Sequence, residues 1–381
     1  MRDAVEIGQG RFARQGYSLS DIAIVPSRRT RDIDNVSMSW QIDAYRFDLP
    51  LVGFPSDATM SPATIETLSA AGGLGVLDAE GLWTRYDDPA PLLSEIAALD
   101  PAGAGRGAIA RLQQAYAEPV REDLITTRIK ALRDAGVVVA VRVSPQHTLR
   151  LAPTVLAAGV DLLVIQGTIV SAEHVAAAGT EPPLNLKTFI ADLDVPVIVG
   201  GCTNYQTALH LMRTGAAGVI VGVGVDAWST TDQVLGISVP MATAIVEAAA
   251  ARRDYLDETG GRYVHVVAAG ELARSGDLAK ALACGADAVM LGQPLAMAAE
   301  APAGGAWWHP SASHPKLPRG RYATPSQDWP IASLTEIIRG ASSSPDGRTN
   351  LFGGLRRAIA KAGFTDVKEF QKVELIVGPG R

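Results

Sequence analysis

The sequence predicts a closed (β/α)8 TIM barrel carrying an N-terminal extension and a long C-terminal tail. Three observations carry this reading: eight short apolar runs alternate with helical segments, a helix–glycine–strand junction recurs between them, and the first run lacks the glycine-rich turn of an open dinucleotide-binding sheet.

The runs begin near residue 48 and are LPLVGF from Leu49, GLGVLD from Gly73, VVVAVRV from Val137, LLVIQG from Leu162, PVIVGG from Pro196, GVIVGVG from Gly218, VHVVAAG from Val264 and AVMLGQ from Ala288. They are apolar at successive positions rather than at alternate ones, as a parallel sheet covered on both faces requires. Helical patterns over Pro62–Ala71, Glu122–Ala135, Tyr205–Thr214 and Gly276–Cys284 lie between them. The junctions AGVVVAVRV at Ala135, AGVDLLVIQG at Ala158, GAAGVIVGVG at Gly215 and GADAVMLGQP at Gly285 each close a helix on glycine and enter a strand at once. An open doubly wound sheet would follow its first strand with a glycine-rich turn, but the first run here ends in GFPSDATMSP.

Residues 1–381 read as a single domain, with residues 1–47 as an extension and 301–350 as an irregular region suited to a functional lid or a mobile tail. Lys+Arg 34 against Asp+Glu 40 gives a net charge of -6 without a concentrated run, which argues against a nucleic-acid or anionic-membrane surface. The start of the chain does not read as a signal peptide, and no segment supplies about 18 uninterrupted apolar residues, so a soluble, cytoplasmic protein is expected. Two cysteines, Cys202 and Cys284, are too few for a zinc cage or a disulfide framework, and no metal is expected.

In such a barrel chemistry gathers at the carboxyl ends of the strands, and phosphate at the last loops. The candidates are Ser56 and Asp57, Gln166, Gly200 and Gly201, Gly222 to Thr231 including Gly224, Gly270 and Glu271, and Gly292 and Gln293. Glycines there let a ligand approach the backbone, although each also suits a tight turn.

VGVGVDAWSTTDQVLGISVPMATAI from Val221, with VPVIVGG before it and SGDLAKALACGADAVMLG after it, resembles the IMP dehydrogenase/GMP reductase family. GYSLSDIAIVPSRR at Gly16, LPLVGFPSDATMS, AAGGLGVLD and FGGLRRAIAKAG extend the likeness over nearly the whole chain. It is most similar to a bacterial branch of IMP-dehydrogenase-related proteins that accompany the true enzyme. The family's CBS pair has no room, since only about sixty residues separate Asp78 from Val137. The resemblance implies a barrel that binds a purine nucleotide, uses NAD(P), assembles as a homotetramer and oxidises IMP through a cysteine adduct.

The residues depart from that chemistry. Ser229 stands at the position of the nucleophilic cysteine, before a matching Thr230, and a serine hydroxyl needs an adjacent base, which only Asp226 or Asp232 could supply in this loop. Ala269, Gly270 and Glu271 replace an Asp-Gly-Gly run that implies a ribose-binding acid and phosphate-facing glycines. Loss of the diol contact costs roughly 1.5 to 3 kcal/mol, and a carboxylate near phosphate about 4 kcal/mol more. Ala227 and Gln293 replace phosphate contacts, Gln166 an acid that holds the nicotinamide ribose, and Gly201 an asparagine. The family's Arg-Tyr water-activating pair has no clear counterpart, Arg321 and Tyr322 being adjacent in an unaligned stretch.

Two functions follow: an IMP-dehydrogenase-like oxidoreductase of purine nucleotide metabolism with impaired or altered activity, or a catalytically inactive nucleotide-binding or assembly subunit. Elsewhere, Cys202, Cys284, His174 and His265 read as packed or exposed structural residues. Arg252, Arg253, Asp254 and Tyr255 are expected to form surface pairs, and Trp307 and Trp308 to cap a ligand, dock a subunit or cover apolar surface.

Overall fold

Eight parallel strands, β1 (Leu51–Gly53), β2 (Val76–Asp78), β3 (Ala140–Val143), β4 (Leu162–Gln166), β5 (Val197–Cys202), β6 (Gly218–Val221), β7 (His265–Ala268) and β8 (Ala288–Leu291), lie in the order β1-β8-β7-β6-β5-β4-β3-β2. The computed structural model describes residues 4–99, 106–175, 177, 183–226, 228–325, 329, 331–342 and 344–378. The sheet closes where Val52 bridges Leu74: the Leu74 N–H donates to the Leu51 carbonyl at 2.8 Å and the Gly53 N–H to the Leu74 carbonyl at 2.7 Å. Each strand falls within one of the eight apolar runs, β5 extending one residue beyond its run to Cys202, and the barrel expected from the sequence is the fold observed.

The continuous hydrophobicity of those runs has a direct cause. Val52, Val76, Ala140, Leu162, Val164, Ile198, Ile220, Val267 and Met290 fill the barrel, while their neighbours Leu51, Leu77, Val141, Leu163, Val199, Val219, Val266 and Val289 pack beneath the helices. Alternate residues thus face two different apolar environments, and neither face meets water. Helices close as their sequences suggest. Ser61 accepts the Thr64 N–H ahead of Pro62–Ala70, and Asn204 accepts the Thr207 N–H ahead of Tyr205–Arg213.

The N-terminal extension seals the amino end of the barrel. A hairpin of Trp40–Ile42 and Tyr45–Phe47 places Trp40, Ile42 and Phe47 in the inner cluster, and the Trp40 indole donates to His265 Nδ1 at 3.1 Å. Burial holds the His265 imidazole below its usual range, so it is a packed, neutral acceptor. Ile22–Ile24 pairs with Leu375–Val377 of the tail. A first hairpin, Ala4–Gly8 with Arg11–Arg14, is exposed at every position and displays Val5, Ile7 and Phe12.

Two expectations are corrected. Arg252 is buried and forms a 2.6 Å ion pair with buried Asp287, which also accepts the Tyr263 hydroxyl and the Val266 N–H. The helix Met241–Thr259 is mostly Ala at this point, and only a long side chain can reach Asp287 across it. Removing one partner would strand a buried charge at a cost of about 3 to 5 kcal/mol. The region after residue 300 is also more regular than expected: Trp307–Trp308 pairs with Tyr322–Ala323, Pro310–Ser313 forms a 3-10 turn and Leu334–Arg339 a helix. Trp308 is buried and leaves no face for a partner subunit. Among the described residues no helix is long and apolar enough to cross a membrane.

Candidate active site at the carboxyl ends of the strands

The loops after the eight strands enclose a cavity of two lobes. The larger, of about 970 Å³, is lined by residues that include Asp57, Gln166, Gly222, Gly224 and Ser229; the smaller, of about 400 Å³, is lined by residues that include Gly270, Glu271, Gly292 and Gln293. Phe54, Val225, Asp226, Ala269 and His309 border both. Of the residues singled out from the sequence, Gly200 and Thr230 line neither lobe: a Cβ at Gly200 would meet the Ile220 carbonyl at 2.5 Å, and the Thr230 N–H donates to the Arg319 carbonyl at 3.2 Å, Gly201 and Thr231 lining the large lobe instead.

Ser229 is buried, and its hydroxyl is already employed. It donates to Thr231 Oγ1 at 2.9 Å and accepts the Thr231 N–H at 3.2 Å. Asp226 Oδ1 accepts the N–H groups of Trp228 and Ser229 at 2.9 and 2.7 Å, so this carboxylate shapes the loop. Asp232 is exposed on the following short helix. The tail locks the same loop: Ser229 bridges Gly320 antiparallel, and the Arg321 N–H donates to the Trp228 carbonyl at 2.8 Å. Ala227 lies outside the described residues.

The tail also brings His309 to Asp226, with Nε2 3.8 Å from Oδ2, while His309 Nδ1 accepts the Ser311 N–H. Burial holds its imidazole below the usual range. Arg321 is exposed, and the Tyr322 hydroxyl donates to the Ile96 carbonyl at 2.6 Å. Neither side chain is among the residues lining the two lobes. Both cysteines are buried, and burial pushes each thiol up to about 12, as expected of packed residues.

In the small lobe Glu271 adopts a left-handed φ of 55°, and its Oε2 accepts the Leu19 N–H at 2.9 Å. Lys280 Nζ donates to the Leu19 carbonyl, so the N-terminal extension is pinned between β7 and the next helix. Burial raises the Glu271 carboxyl despite the Leu19 and Met241 backbone hydrogen bonds. Asp277 accepts the N–H groups of Ala273 and Arg274 at 3.2 and 2.9 Å, occupying amides that could otherwise meet an anion. Gly292 is glycine for packing: a Cβ there would meet the Trp307 ring at 2.6 Å. Trp307 itself lines the small lobe, edge-on to Phe54.

The floor of the large lobe holds a network of ionisable side chains not picked out as such from the sequence. Arg142 on β3 lies 3.1 Å from Asp78 and 3.4 Å from Glu80, and donates to the Gln166 carbonyl at 2.7 Å. Burial raises the Asp78 carboxyl, with Arg142 opposing and Glu80 adding to the rise; for Glu80 the burial penalty is outweighed by Arg142 and by hydrogen bonds from His147 and Ser144, and its carboxyl is lowered. Asp57, accepting from Tyr116 Oη at 2.6 Å and the Leu82 N–H at 2.9 Å, is pushed up to about 7 by burial and by Asp78. One signal was present in the sequence: Arg142 interrupts VVVAVRV, and Asp78 ends GLGVLD, both charges within otherwise apolar strands. Tyr116 and His147 carried no comparable signal.

The sequence model of the IMP dehydrogenase / GMP reductase domain matches residues 16–320. An uncharacterized oxidoreductase of Mycolicibacterium smegmatis is 57% identical over 378 residues, covering 98% of this chain and 100% of that protein. Inosine-5'-monophosphate dehydrogenase of Aquifex aeolicus is 25% identical over 407 residues, covering 97% of this chain and 77% of that protein. The crystal structure of an IMP dehydrogenase/GMP reductase-like protein from Corynebacterium glutamicum superposes with a TM-score of 0.93 at 52% identity, covering 99% and 98% of the two chains.

Proposed function

Since the chain belongs to the IMP dehydrogenase / GMP reductase family, we propose that it is a purine-nucleotide-related oxidoreductase barrel in which thiol-type oxidation of IMP is impaired or altered. The observation that carries this reading is the state of Ser229. Its hydroxyl is bound to Thr231, and the nearby Asp226 already accepts two backbone N–H groups through Oδ1. A hydroxyl becomes a nucleophile only when a base takes its proton, and in this loop the carboxylate is engaged elsewhere.

The large lobe suits NAD(P) in size, lying near the upper end of small-molecule pockets. Gln166 would hold a ribose hydroxyl there through its buried amide oxygen, which has no partner among the described residues. This would be a neutral hydrogen bond, weaker than one to a carboxylate. When bound, the nicotinamide would supply a hydride acceptor. In the small lobe Glu271, Asp226 and Asp277 oppose a phosphate, and Arg274 is a neighbouring cation.

A second reading, a non-catalytic nucleotide-binding or assembly subunit without CBS domains, is favoured by the fully exposed hairpin Ala4–Arg14. Both readings include a homotetramer. A thermal-shift screen against purine nucleotides and nicotinamide cofactors tests ligand binding, because a ligand of the native state raises the melting temperature. A screen without any stabilising compound would contradict both nucleotide-binding readings.

A further inference from the structure

We infer that His147, held by Glu80, accepts a proton from a hydroxyl-bearing small molecule seated in the large lobe. This rests on the reading that the cavity binds a small molecule and is independent of Ser229.

His147 caps the helix Thr148–Ala157, yet its side chain makes no capping hydrogen bond. Its Nδ1 instead bonds the Glu80 carboxylate. The His147 side chain is 51% exposed and lines the large lobe, whereas Glu80 is 9% exposed. Glu80 is fixed from other directions, since the Ser144 N–H and hydroxyl both donate to it and Arg142 lies beside it. A buried carboxylate on Nδ1 sets the tautomer: the proton sits on Nδ1, and the Nε2 lone pair is left as the acceptor.

The remaining floor selects the ligand. Gln166 Oε1 is a buried acceptor with no partner among the described residues, and it lines the same lobe. The Arg142 guanidinium is taken by Asp78, Glu80 and the Gln166 carbonyl. Two waiting acceptors, His147 Nε2 and Gln166 Oε1, call for hydroxyl donors such as those of a sugar or nucleoside, while Arg85 and Arg319, which line the same lobe, can meet an anionic group elsewhere on the ligand. In the proton transfer the ligand O–H bond breaks and an Nε2–H bond forms. The electron pair stays on the ligand oxygen, and the imidazolium is stabilised by the Glu80 carboxylate, which remains ionised.

The test is acylation of the whole protein by diethyl pyrocarbonate, mapped by mass spectrometry with and without inosine or NAD. Exposed His174 is the internal control. His147 is expected to react faster than His174, to slow by about tenfold in Glu80→Gln, and to be protected by a probe that leaves His174 unprotected. Imidazole nitrogen NMR of the unmodified protein, expected to show His147 protonated at Nδ1 only, decides the matter should Glu80→Gln not fold. Equal reactivity of His147 and His174, or a His147 protonated at Nε2, overturns the inference. A probe that raises the melting temperature without protecting His147 overturns it while leaving the proposed function intact. If neither inosine nor NAD raises the melting temperature, a hydroxyl-bearing ligand for His147 is contradicted, while the wider nucleotide screen decides the proposed function separately.

Discussion

The Ser229 hydroxyl donates to Thr231 Oγ1 at 2.9 Å and accepts the Thr231 N–H at 3.2 Å, so Ser229 acts as a brace for its own loop. A brace should matter to stability more than to binding. Ser229→Ala is expected to cost about 1 kcal/mol in urea unfolding and to leave ligand-induced thermal shifts unchanged. Loss of those shifts in a folded Ser229→Ala protein would show that the hydroxyl serves the ligand.

Asp57 makes stability depend on pH. Its carboxyl is raised from 3.8 to about 7, first by burial and then by Asp78, so the folded protein holds a proton that the unfolded chain has released. Stability from this group is therefore greatest at acid pH and falls as pH rises from about 4 to about 7, by up to about 4 kcal/mol. Asp57→Asn keeps an acceptor for Tyr116 and the Leu82 N–H while removing the charge. Urea unfolding at pH 5 and pH 8 should show the variant gaining on the parent at the higher value; identical pH dependences would contradict the assignment.

Glu271 offers a way to separate charge from anchoring. Glu271→Gln retains an acceptor for the Leu19 N–H and removes the carboxylate from the small lobe. Calorimetry should show IMP binding tightened by at least about tenfold more than inosine binding. Equal changes for both ligands would mean that the carboxylate does not sense the phosphate.

The exposed Val5, Ile7 and Phe12 need cover, because an isolated two-stranded hairpin is marginal in water. A cyclic homotetramer, indifferent to ATP and GTP, is expected by light scattering. A monomer at micromolar concentration, or assembly driven by either nucleotide, would contradict it.

The barrel was legible because each strand is buried on both faces, so runs such as LLVIQG and GVIVGVG announce themselves without reference to partners. The loop placing Ser229 was legible from its neighbours in sequence. What escaped depends on contacts between distant segments. Arg252, on the helix Met241–Thr259, meets Asp287 just before β8, Glu271 meets Leu19 across 252 positions, and His309 reaches Asp226 from the tail. Glu80 and His147 come from loops after adjacent strands, and a lone glutamate or histidine in a loop carries no sign of its partner.

The central claim is that Ser229 does not replace the thiol, and the most direct measurement is the rate at which purified protein reduces NAD in the presence of IMP. The account predicts turnover well below about 1 per second, the low end of ordinary enzymes, and no recovery in Ser229→Cys alone, because the same proposal has Gln166, Ala269 and Glu271 replacing further site residues. Turnover at or above that rate by the unmodified protein, abolished in Ser229→Ala, would contradict it.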